Sequence, residues 1–223
     1  MYAKFRSWTR LSHPFVLPFL GVDGELFPWE DVATVIPWMR HGTVLQWMKL
    51  NPRSSAENVV LLLLQIAEGL NYLHAEGIFH GDIRGENIFI DDNFHPRLAH
   101  FGHAIITQSS GLPRWLAPEL QSGTIERGPN MASDVHSYGR VCLELWTGQK
   151  PFHDIVNEVT VIRKVARGER PDRPSSTDEH TGQPMPDELW NLIEKCWSPE
   201  PRDRPTMGEV IQEMKIIHTT LSE

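Results

Sequence analysis

The run His80-Gly81-Asp82-Ile83-Arg84-Gly85-Glu86-Asn87 holds the residues whose types and spacing could do chemistry. His-x-Asp followed five residues later by Asn brings two oxygen-bearing side chains to one site. A carboxylate there can accept a hydroxyl proton, and an amide carbonyl beside it can hold a metal ion.

Such a loop has to be held by the elements around it. Upstream, Ser54-x-x-Glu57 reads as a capping box, with apolar residues at 59, 62, 63, 66, 70 and 73 and Gly77 closing a helix of about five turns. Downstream, Ile88-Phe89-Ile90 reads as a strand. Ser133 is positioned to cap a second helix, with Val135, Tyr138, Val141, Cys142, Leu145 and Trp146 on its apolar face and Gly148 at its end. Ile155, Val159, Ile162 and Val165 make a third amphipathic stretch, and Leu189, Leu192, Ile193 and Cys196 a fourth. Thr206-x-x-Glu209 caps a last helix carrying Val210, Met214, Ile217 and Leu221. The first fifty residues differ: Val16 to Val22 and Val32 to Ile36 read as two strands joined by an acidic turn. The pattern predicts an α+β protein that is mostly helical.

At 223 residues the chain can bury a full core. A net charge of −8 argues against a nucleic-acid platform or an anionic-membrane binder. Cys142 and Cys196 lie in apolar helical contexts, as reduced core residues do. No signal-peptide pattern opens the chain, and its longest fully apolar run, Val59 to Leu64, is too short to span a bilayer. A cytoplasmic protein is expected.

Four further segments, in order, carry a resemblance. Leu98-Ala99-His100-Phe101-Gly102 looks like a D-F-G segment with His in place of Asp. Pro113-Arg114-Trp115-Leu116-Ala117-Pro118-Glu119 resembles the A-P-E end of an activation segment. Ser133-Asp134-Val135-His136-Ser137-Tyr138-Gly139 is similar to the S-D-V-W-S-F-G start of a central helix. Cys196-Trp197-Ser198-Pro199 through Arg204-Pro205 matches a closing C-W-x-x-x-P-x-x-R-P. Together with the His80–Asn87 loop they resemble the protein kinase superfamily, closest to the tyrosine-kinase-like group of serine/threonine kinases. The resemblance implies a kinase-like α+β fold with a helical C-lobe over residues 42–223. Residues 1–41 would be a truncated N-lobe and hinge, with a helix C remnant and about two strands.

What the resemblance implies for chemistry is mixed. Asp82 matches the catalytic base, Asn87 a metal ligand, and Arg84 stands where Lys is usual. Ile36, Trp38 and Met39 match the adenine-contacting hinge, with Phe89 as the floor beneath the base. Trp8, Phe19, Phe101 and His80 match a stacked regulatory spine anchored on Asp134, and Glu119 with Arg204 a structural ion pair. Against these stand several departures. His100 takes the place of the metal-binding Asp, and imidazole is a poor substitute for a hard oxygen ligand of Mg²⁺. Lys4 falls at the helix C Glu position, Gly81 replaces an Arg that grips a phosphorylated segment, and Leu112 replaces a Thr. No glycine-rich loop or V-A-I-K strand is present. His95, His100 and His103 invite a zinc reading but lack a clear fourth ligand. Thr107, Ser109 and Ser110 are candidate phosphorylation sites.

ATP with Mg²⁺ is the cofactor expected of the family, and weak or absent binding is expected of this chain. The sequence therefore points to a catalytically impaired pseudokinase that works by binding a protein partner, without nucleic acid or membrane. The alternative is an active ATP-dependent serine/threonine kinase whose N-lobe is missing from this chain.

Overall fold

Asn, Thr and Ser side chains set where the helices begin, and apolar faces set what they cover. In a computed structural model, residues 8–23, 33–52, 54–101, 113–121, 128–174 and 181–223 are described. The helices are α1 (Val44–Leu50), α2 (Ala56–Ala75), α3 (Pro118–Gln121), α4 (Met131–Thr147), α5 (Glu158–Ala166), α6 (Asp187–Cys196) and α7 (Met207–Ser222). Among the described residues, four short strands, β1 (Gly21–Asp23), β2 (Ala33–Val35), β3 (Ile88–Ile90) and β4 (Pro96–Leu98), form two antiparallel pairs. Gly21 faces Val35 in the first pair, and Phe89 faces Arg97 in the second. The expected α+β division holds, with a small N-terminal sheet and a helical remainder.

The core forms around α2 and α4. Val59, Leu63, Ile66, Leu70 and Leu73 of α2 are fully buried, and α2 packs along α7 through Val210, Met214 and Ile217. Truncating one of these leucines to Ala would cost about 2–5 kcal/mol. Every residue of α4 from Ser133 to Trp146 is buried, which marks it as the central helix rather than a surface one. Tyr138 illustrates the cost of that position: its hydroxyl donates to the Leu63 carbonyl at 3.1 Å, so no buried O–H is left over.

Two helix starts differ from the sequence reading and a third matches it. Ser55, not Ser54, caps α2, accepting from the Asn58 N–H, while Ser54 donates back to the Asn51 carbonyl. Asn130 rather than Ser133 caps α4. Its side chain accepts from the Ser133 N–H at 3.0 Å, and the Ser133 hydroxyl accepts from the Asn130 N–H at 2.9 Å, so Ser133 is the reciprocal partner within the helix. Thr206 and Glu209 form the expected capping box of α7. At the far end of α2, Gly77 has φ +73, and the Gly77 and Ile78 N–H groups donate to His74 and Leu73. That is a Schellman closure, and it turns the chain toward the loop at 80–87.

Two apolar patterns depart from the sequence expectation. On α5 the buried residues are Val161 and Val165, packed with Phe152 and Ile155, whereas Val159 and Ile162 are exposed. The expected strand Val16–Val22 is only Gly21–Asp23. Pro18 has no N–H to give a ladder, and Val16 makes a single parallel bridge to Leu98. Val32 lies outside the described residues, as do Met1 to Ser7 and the acidic turn.

Candidate active site

Asp134, at the start of α4, organises the loop. Its buried carboxylate accepts from the His80 N–H at 2.7 Å and the Gly81 N–H at 2.7 Å, and lies 2.9 Å from His74 Nε2. Gly81 has φ +81, a backbone state that L side chains rarely adopt, so glycine there has a conformational reason beside the lost arginine. The His80 imidazole is fully enclosed. Burial pushes it down to about 4, against the pull of Asp134 and Asp82, so the ring is neutral near pH 7. Its Nδ1 accepts from the Asp82 N–H at 3.2 Å.

Asn87 ends the short 3₁₀ turn Gly85–Asn87 and joins the two residues flanking it. Its Nδ2 donates to the Asp82 carbonyl at 2.8 Å and to Asp82 Oδ2 at 2.6 Å. Those two acceptors fix which way the amide points. The amide oxygen is then left facing His100, whose Nδ1 lies 3.1 Å away and donates to it. His100 has φ +61, and its ring meets Phe89 edge-on at 6.1 Å. Arg84 Nε sits 3.5 Å from Asp82 Oδ1, while its Nη1 pairs with Glu86 at 2.7 Å.

Asp82, Asn87 and His100 therefore form one hydrogen-bonded run, with Arg84 against its open end. The amide oxygen that could ligate a cation is engaged by an imidazole N–H. The group standing opposite it is a nitrogen donor where Mg²⁺ demands oxygen. These residues do not fit Mg²⁺. Among the described residues no three His, Cys, Asp or Glu side chains are grouped to hold a metal ion, and His103 lies outside them.

The apolar residues converge instead. Trp8 meets Phe19 at 5.8 Å and Phe101 at 5.4 Å, and Phe101 meets His80 at 6.1 Å, all edge to face. Asp134 holds the base of that column through the His80 N–H. Beside it a cleft of about 40 Å³ is lined by Trp8, Phe19, Thr34, Ile36, His100 and Phe101, among others, with room for a few waters. Of the expected hinge and floor residues only Ile36 lines it. Trp38 is 86 % exposed, and Met39 and Phe89 are not among the lining residues.

On the opposite side of the loop, the structure reveals a residue that the sequence reading missed. Glu144, 2 % exposed on α4, accepts through Oε2 from the Gly85 N–H at 2.9 Å and from Trp115 Nε1 at 3.0 Å. Burial pushes its carboxyl up to about 7, against the two hydrogen bonds. It ties the 80–87 loop to the segment leading into α3. A lone acid within the apolar run Val141–Trp146 was the available signal. Ser137 strengthens the same junction, donating to the Trp115 carbonyl at 2.9 Å. Below it, Glu119 and Arg204 pair through two bonds, at 2.7 and 2.8 Å, and Arg204 also donates to the Ser198 and Ala132 carbonyls. Lys4, Leu112, Thr107, Ser109 and Ser110 lie outside the described residues.

No helix among the described residues is long and apolar enough to cross a membrane. A profile of the protein tyrosine and serine/threonine kinase family matches residues 1–214. The chain is 33 % identical over 199 residues to a light-sensor protein kinase of Ceratodon purpureus, an alignment covering 75 % of this chain and 14 % of that protein. It is 32 % identical over 164 residues to the serine/threonine-protein kinase STY17 of Arabidopsis thaliana, covering 70 % and 27 %. To the tyrosine kinase receptor Cad96Ca of Drosophila melanogaster it is 36 % identical over 171 residues, covering 71 % and 21 %. The chain thus spans a minor part of the length of these relatives. With the loop, the central helix and the Glu119–Arg204 pair in place, the chain belongs to the protein tyrosine and serine/threonine kinase family.

Proposed function

We propose that this kinase domain is catalytically impaired and acts in cytoplasmic signalling by binding proteins. The observation that carries the reading is the His100–Asn87 hydrogen bond, which occupies the amide oxygen that a metal ion would need. Phosphoryl transfer depends on charge neutralisation and positioning, so losing the metal-binding oxygens removes most of what the protein contributes. Losing a single electrostatic contact of this kind typically costs on the order of 10²–10³ in rate. Two features support binding as the retained role. The aromatic column and the Asp134 anchor hold the scaffold together, and Leu20, Val22, Val35, Ile36 and Trp38 present apolar surface around the small sheet and hinge. Cys142 and Cys196 are buried and unpaired, in keeping with a reducing compartment.

A second reading is an active serine/threonine kinase completed by chain beyond this sequence. It is supported by Asp82 Oδ1 lying 3.5 Å from Arg84 Nε and Asp82 Oδ2 accepting from Asn87 Nδ2. Transfer of labelled phosphate from ATP to a protein acceptor, with Mg²⁺ or Mn²⁺, separates the two. The impaired reading expects the protein to match its Asp82→Asn variant at background. Transfer that Asp82→Asn abolishes would establish the second.

A further inference from the structure

Val156, Val159 and Ile162 turn outward on a helix whose buried side is already supplied. Val161 and Val165 cover the inner side of α5, packed with Phe152 and Ile155. Val159 and Ile162 stand on an outer stripe, with the exposed Ala166 between them. Val159 is 52 % exposed. Val156 directly precedes the Asn157 cap. An apolar residue there commonly folds back onto the fourth helical residue, here Val161, but at 91 % exposure Val156 does not.

The stripe is fixed from inside. Arg114 is buried; its Nη1 donates to the Pro151 and Phe152 carbonyls, its Nη2 to the Ile155 carbonyl, and its Nε to Glu158 at 2.8 Å. The Asn157 side chain accepts from the Val159 and Thr160 N–H groups. A partner thus meets a helix start that is already formed, and little affinity is lost to ordering it.

Charge around the helix is uneven. Arg163 and Arg167 are exposed and follow Val159 at one and two turns. Among the described residues neither makes an ion pair, because the neighbouring acids are engaged elsewhere. Glu158 pairs with Arg114 and Glu169 with Lys164, and Asp154 and Asp172 also bear on Lys164. Lys164 stands about 140° around the helix from Val159, on the far flank. The outer stripe therefore carries aliphatic side chains edged by two unpaired cations, on a chain whose net charge is −8.

We infer that Val156, Val159 and Ile162, with Arg163 and Arg167, form a docking face for an acidic amphipathic segment of a partner protein. Its aliphatic side chains would cover the stripe and its carboxylates would meet the two guanidinium groups. An anionic lipid surface fits less well, since two arginines would face it from a chain that is acidic as a whole. This docking role rests on the protein-binding reading above but uses none of the loop residues, so the phosphate-transfer assay and the selection below can fail separately.

Selection of a random-peptide display library on the immobilised protein, followed by fluorescence anisotropy of the enriched peptides, tests it. Enriched peptides are expected to combine aliphatic residues with Asp and Glu. Val159→Asp should weaken them about tenfold or more, and Arg163→Gln several-fold with a shallower salt dependence. Both positions are exposed, so the variants should melt with the parent. No enrichment, peptides without an acidic bias, or binding unchanged in both variants would overturn the face. Binding to phosphatidylserine vesicles that Val159→Asp abolishes, in the absence of peptide binding, would overturn it in favour of a membrane.

Discussion

His100 Nδ1 and Asn87 Oδ1 lie 3.1 Å apart, and the same Asn87 amide donates to Asp82 Oδ2 at 2.6 Å. One side chain thus connects the expected base with the residue that displaced the expected metal ligand. Both polar atoms of the Asn87 amide thereby gain a protein partner. His100→Asp replaces a donor with a hard oxygen facing Asn87 Oδ1. Mn²⁺ is expected to broaden the Asn87 side-chain amide resonances in that variant and to leave them sharp in the parent. Equal broadening in both would show that His100 does not exclude the ion.

Glu144 makes a pH prediction whose sign is fixed. Its carboxyl is raised from 4.5 to about 7, so the folded state holds a proton that the unfolded chain releases. The resulting stability is fully present below pH 4.5 and is lost as pH rises through 7. It amounts to about 3 kcal/mol across that window. Glu144→Gln removes the titration. Urea melts of parent and variant across that window should therefore show the parent losing stability relative to the variant as pH rises. His80, depressed to about 4, works in the opposite direction in the parent and the variant alike, so it cancels from the difference.

The Glu119–Arg204 pair is buried on the arginine side. Glu119→Ala leaves that guanidinium without its carboxylate and should cost about 3–5 kcal/mol in urea melts. Adding Arg204→Met should recover a substantial part of the loss. A single-variant cost below about 1 kcal/mol would reduce the pair to the value of a surface contact.

Asp134→Ala strands the His80 and Gly81 N–H groups in the interior. Each stranded donor costs about 1–3 kcal/mol, so a combined loss of several kcal/mol is expected. Hydrogen exchange at His80 and Gly81 should rise well before exchange in α2 does.

Much of this architecture could be read from the chain because local signals and burial agree. Thr206-x-x-Glu209 names its own cap, and the apolar spacing on α6 and α7 matches the faces that are buried. The aromatic contacts of Trp8, Phe19, Phe101 and His80 join residues named from their motifs, though no spacing rule could give their distances. The errors share a cause. Ser54 against Ser55, and Ser133 against Asn130, are choices between adjacent or reciprocal polar residues that only backbone angles decide. The α5 face was misread because Val159 and Val161 are equally apolar and only the position of Phe152 selects between them. Glu144 and Arg140 escaped because a charge in an apolar run acquires meaning only from its neighbours, Gly85 and Trp115 for one and Phe152 and Trp197 for the other.

The most direct measurement is the thermal shift of the purified protein with ATP, in EDTA and then with Mg²⁺ or Mn²⁺. With Asn87 Oδ1 held by His100, the two metals should add nothing to whatever shift ATP gives in EDTA. A metal-dependent rise equivalent to about 2.7 kcal/mol, the stabilisation expected at 100 times Kd, would contradict the account and restore the domain to the active kinases.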